Sequence, residues 1–190
     1  MKYFTPDLLL QFQSEDPKVS DNAADAWERA QKNYSIYLRR ISTRLPKGFQ
    51  LLRENYYLHD ATVYGMGRGR PHHESMQPIV SKHLSKSDFS VILRPENDRK
   101  KGLLLIYKGV VEVDLVDHPA LAQPPARYQW LYDEIKIDKQ AAFKHSILLT
   151  GGIEVAISFR DLQIEPFAAS QLSKPASGRK VKKELQLAVA

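Results

Sequence analysis

The chain has 190 residues, 43% of them hydrophobic, which is enough to bury one sizeable core without requiring a second domain. It contains no cysteine, so disulfides, thiolate zinc sites and cysteine nucleophiles are excluded, and metal ligation falls to histidine and carboxylate. The net charge of +6 is unevenly placed, because Lys174, Arg179, Lys180, Lys182 and Lys183 stand against Glu184 alone in a tail over 168–190. The body therefore keeps only a small positive excess, which weakens the case for the folded domain as a basic nucleic-acid footprint.

Thr5-Pro6-Asp7 predicts a short helix through Leu8, Leu9 and Phe12, with a capping side chain, proline at the first helical position and an acid near the positive end. No apolar stretch at the start has signal-peptide length, and none elsewhere reaches the roughly 20 residues of a membrane span. The expectation is a cytoplasmic protein with no membrane partner.

Pro17 reads as a break. Beyond it, Ser20 or Asp21 can cap a long helix whose residues Ala23, Trp27, Tyr34, Leu38, Ile41 and Leu45 form an apolar stripe. Pro46 and Gly48 are expected to end it, closing a helical arm over 1–47. From Tyr57 the period becomes alternating, and an antiparallel sheet is predicted over 57–165.

In the first strand Tyr57, His59, Ala61 and Val63 share a face, and in the second Phe89, Val91 and Leu93 do. Between them lies a polar insert, 67–87, containing Arg68, Arg70, His72 and His73. Leu103 to Leu115 keeps one phase across Gly109, the expected site of a bend, and PENDRKKG before it reads as a hairpin loop. A proline-rich loop precedes a strand in which Leu131, Asp133, Ile135 and Ile137 share a side. Phe143 to Leu149 and Ile153 to Phe159 form the last hairpin. A three-residue loop, Thr150 to Gly152, keeps both apolar faces together by pairing Leu149 with Ile153.

These elements predict an α+β fold in one domain over 1–167, with the helical arm on a largely antiparallel sheet that either stays open or curls into a partial barrel. Phasing places His59, Asp133 and His145 on the buried faces of three strands, where unsatisfied polar groups are costly. The functional reading is a two-histidine, one-carboxylate site for a divalent metal or a general base, joined by Asp60 and Glu134 only where a bulge turns them inward. The alternative is structural, with Asp133 pairing a histidine. Ser146 points away from this face, and Gly65, Gly67 and Gly69 precede Pro71 rather than a helix, so neither a serine nucleophile nor a phosphate loop is expected.

LHDATV (Leu58 to Val63), LYDE (Leu131 to Glu134), FKHSILL (Phe143 to Leu149) and FRDL (Phe159 to Leu162) resemble motifs of a bacterial family of unknown function, and the opening MKYFTPDLLLQFQS fits it too. LHDATV is also similar to a segment of small immunity proteins of bacterial toxin systems, which implies binding of a partner protein. The leading expectation is thus a non-enzymatic protein-binding module without a cofactor. The alternatives are a metal-dependent hydrolase-like protein using His59, Asp133 and His145, and nucleic-acid binding through Arg68, Arg70, Arg179, Lys180, Lys182 and Lys183.

Overall fold

The protein is seen in a computed structural model that describes residues 1–69, 85–121, 125–139, 142–172 and Gln186. Among these residues there are three α-helices and an eight-stranded antiparallel sheet that is not closed into a barrel. The fold is α+β, as the hydrophobic periods predict.

Helix α1 (Pro6–Phe12) starts where expected, with Thr5 Oγ1 accepting the Leu8 N–H at 3.2 Å. Helix α2 spans Pro17–Ile41 and differs in how it begins. Asp16 caps it by accepting the Lys18 N–H at 2.9 Å, and Pro17 is its first residue. Pro17 thus opens the helix rather than breaking the chain, because its fixed φ and missing donor suit a first turn. The stripe Ala23, Trp27, Tyr34, Leu38 and Ile41 is buried.

The helical arm does not end at Pro46 and Gly48. Pro46 offers its carbonyl to the N–H groups of Phe49 and Gln50, and α3 (Lys47–Asn55) follows, burying Phe49 and Leu52. Gly48 has a steric reason to be glycine, since a Cβ there would lie 1.8 Å from the carbonyl oxygen of Leu162.

The strands are β1 (Ala61–Arg68), β2 (Phe89–Arg94), β3 (Lys101–Lys108), β4 (Glu112–Asp117), β5 (Gln129–Asp138), β6 (Ala142–Leu149), β7 (Ile153–Phe159) and β8 (Asp161–Ala168). Their order is β4-β7-β6-β5-β1-β2-β3-β8. Leu149 pairs with Ile153, so the last hairpin has the three-residue loop that alternation requires, with Gly151 and Gly152 at φ 82° and 71°.

The two ends of this order are arms of one bent ribbon. β3 runs into β4 at Gly109 (φ 60°) and β7 into β8 at Arg160, and across the bend the Arg160 N–H donates to the Lys108 carbonyl at 3.0 Å. The sheet therefore curls over its own core. Tyr107 on β3 comes within 5.0 Å of Phe159 on β7, ring centre to ring centre.

The sheet also parts between β1 and β5, whose register holds only Ala61↔Trp130 and Thr62↔Gln129. Further along β5 the N–H groups of Ile135 and Ile137 donate to the hydroxyls of Tyr34 (2.7 Å) and Tyr37 (3.0 Å). Helix α2 thus takes the place of a neighbouring strand and satisfies donors that a sheet edge would otherwise leave open.

Candidate functional site

Two of the three inward polar residues meet. His145, on β6, is fully buried, and its Nε2 lies 2.9 Å from Asp133 Oδ2 on β5. A carboxylate offers only acceptors, so Nε2 carries the hydrogen and donates. On the other side of the ring, Nδ1 lies 2.9 Å from the hydroxyl of Tyr107, which reaches it across the curled sheet. The Tyr107 hydroxyl and Nδ1 share this hydrogen bond, completing a Tyr–His–Asp chain. Trp130 Nε1–H donates to Asp133 Oδ1 at 3.0 Å, so both carboxylate oxygens are engaged.

Burial alone would raise the Asp133 pKa. The hydrogen bond and charge of His145, followed by Trp130 Nε1–H and the Arg53 guanidinium, outweigh that and hold it below the usual carboxylate range. Burial, reinforced by the Asp133 charge, pushes the Tyr107 phenol well above its ordinary range. Phe49 and Trp130 flank the imidazole.

His59 stands apart from this chain. The strand expected to begin at Tyr57 begins instead at Ala61, because Leu58 to Ala61 forms a turn in which Asp60 has φ 64°. His59 Nδ1 lies 2.7 Å from the Leu131 carbonyl, to which Nδ1–H donates, and Nε2 is 3.7 Å from Asp60 Oδ2. Its ring is only partly buried, 5.1 Å from that of Tyr132. Among the described residues no group of three or more histidine, aspartate or glutamate side chains is placed to hold a metal ion.

Glu134 points to the opposite face, as its phase requires, and does not join Asp133. Its carboxylate accepts the N–H groups of Lys2 (2.7 Å), Tyr3 (2.6 Å) and Phe4 (2.6 Å), fastening the first residues to β5. Arg68 is exposed at the end of β1. Arg70, His72, His73, Arg179, Lys180, Lys182 and Lys183 lie outside the described residues.

Asp133 connects the buried chain to the outside. Its side chain is 27% exposed and lies at a groove of about 540 Å³ where β1 and β5 part. Trp27 and Tyr34 of α2, Leu52 and Arg53 of α3, Tyr57 and His59 of the following loop, and Tyr132 of β5 line it. This volume lies within the range of ordinary ligand pockets. Tyr57 is 59% exposed at the groove, and on the outside of α3 Leu51 is 52% exposed. The Tyr132 hydroxyl is raised in pKa by burial and then by Tyr57 and Asp60.

Sequence reasoning placed Tyr107 on an apolar face but gave its hydroxyl no partner. A buried tyrosine needs one, and that requirement was the available signal. The contributions of Arg53 and Tyr57 depend on α3 and the turn after it, neither of which was foreseen.

No protein-family model matches the sequence, and a search of curated proteins finds no match.

Proposed function

We propose that this protein is a non-enzymatic protein-binding module whose groove between α2, α3 and β5 receives an apolar or aromatic side chain of a partner protein. The observation that carries this reading is Tyr57, a large aromatic side chain 59% exposed beside a groove with walls of Trp27, Tyr34 and Tyr132. Exposed aromatic groups beside a preformed pocket are what protein interfaces use as anchors, because they bring large contact area with few rotatable bonds.

The chemistry at the base favours recognition over catalysis. The Asp133 oxygens are engaged by Trp130 and His145, and the ring nitrogens of His145 by Asp133 and Tyr107. His145 and Tyr107 are fully buried, so a substrate in the groove meets neither. The resemblance of LHDATV to immunity proteins agrees with this reading, since Leu58 and His59 of that motif line the groove.

The test is capture with wild-type protein as bait, followed by titration of the purified partner against wild type and Tyr57→Ser. Binding at least tenfold weaker in the variant, at unchanged melting temperature, supports the groove as the interface. Equal affinities would remove it.

A further inference from the structure

A second cleft, of about 470 Å³, lies between the start of β1, the end of β2 and the segment leading into β5. Its floor is polar. Thr62 on β1 is paired with Arg94 on β2, and Thr150 accepts the Gln129 N–H at 2.9 Å. Arg94, Arg99 and Arg127 all line it, with Glu96 as the one carboxylate. Glu96 is ion-paired with Arg99, which cancels those two charges locally.

That leaves Arg94 and Arg127. The Arg94 guanidinium lies 5.9 Å from the centre of the Tyr64 ring, and its Nε is buried with no hydrogen-bond partner among the described residues. A buried donor with its bond unmade is destabilising, and more so on a charged group, so a ligand oxygen placed there would be favoured. Arg127 is exposed and has no ion pair among the described residues. Two uncompensated guanidinium groups therefore share one recess lined with hydroxyl and amide groups.

We infer that this cleft binds the phosphate group of a small phosphorylated molecule, with Arg94 and Arg127 as its cationic walls. Guanidinium forks match phosphate oxygens in pairs, and a doubly charged monoester balances both arginines where a carboxylate would leave one unpaired. The Thr62 and Thr150 hydroxyls supply neutral polar contacts beside them.

The test compares melting temperatures in inorganic phosphate and in chloride at equal ionic strength, for wild type, Arg94→Gln and Arg127→Gln. At phosphate tenfold above its Kd, the wild-type protein gains about 3–6 °C over the chloride control. Both variants lose that gain. Arg127 is exposed, so Arg127→Gln keeps the fold and the test remains decisive even where Arg94→Gln lowers the basal melting temperature. Glycerol phosphate run alongside separates the two sources of the anion: a larger rise assigns a phosphorylated molecule, and an equal rise assigns the free ion. No gain in wild type, or a gain that survives both substitutions, overturns the proposal.

Discussion

His145 Nε2 stands 2.9 Å from Asp133 Oδ2 although the two residues are not direct cross-strand partners. His145 is paired with Ile135 and Asp133 with Ile147, so the contact is a diagonal one between β5 and β6 on the concave face. Tyr107 closes the chain from a strand three places further along the sheet than β5.

Removing the middle of that chain strands both ends. His145→Ala leaves the Asp133 carboxylate and the Tyr107 hydroxyl without their shared partner, and an unfolding free energy lower by about 3 kcal/mol is expected. Tyr107→Phe removes one hydroxyl and costs about 1–2 kcal/mol. Urea unfolding measures both, and a loss within error for His145→Ala contradicts the buried chain.

The acid limb of stability should report Asp133. Its folded-state pKa is depressed, so its contribution is present above the unfolded value of 3.8 and is lost as pH falls through the lower folded value. Glu154 is depressed too: burial opposes this, but the terminal amine of Met1, Ser146 and His118 outweigh it, so its contribution is present above its unfolded value of 4.5 and is likewise lost as pH falls below it. Asp133→Asn therefore flattens the fall in melting temperature below about pH 4 without abolishing it. A variant curve parallel to wild type would show that Asp133 gains nothing from ionisation in the fold.

Tyr34 and Tyr37 complete the open side of β5. Tyr34→Phe leaves the buried Ile135 N–H without its acceptor and should cost about 1–3 kcal/mol. Tyr37→Phe costs less because its bond to Ile137 is only partly buried. Hydrogen exchange at the Ile135 amide should accelerate in Tyr34→Phe and stay slow in Tyr37→Phe.

Gly48 fixes how closely α3 approaches β8. Gly48→Ala forces a methyl group onto the Leu162 carbonyl, and moving the helix away costs about 1–3 kcal/mol. A variant as stable as wild type would mean that α3 adjusts without strain.

The sheet was legible because alternation over a buried face fixes register. The pattern favours pairing Leu149 with Ile153 and an inward His145, and both are found. The helices were less legible where local signals conflict. KGFQLLREN carries only Phe49 and Leu52 as inward residues after a proline, so its helix emerges from packing against β8. Pro17 carries one meaning inside a helix and another at its start, and only the Asp16 bond decides between them. His59 was misplaced because Asp60 adopts positive φ and interrupts the alternation just before Ala61. The Tyr107 contact depends on the curl of the sheet, which no spacing along one strand encodes.

The affinity of the purified partner for Tyr57→Ser relative to wild type tests most directly the claim that the groove binds while the buried chain beneath it only supports. The account predicts at least tenfold weaker binding with an unchanged melting temperature, because Tyr57 is exposed and carries little of the core. Undiminished affinity in Tyr57→Ser would contradict it and move the interface elsewhere on the molecule.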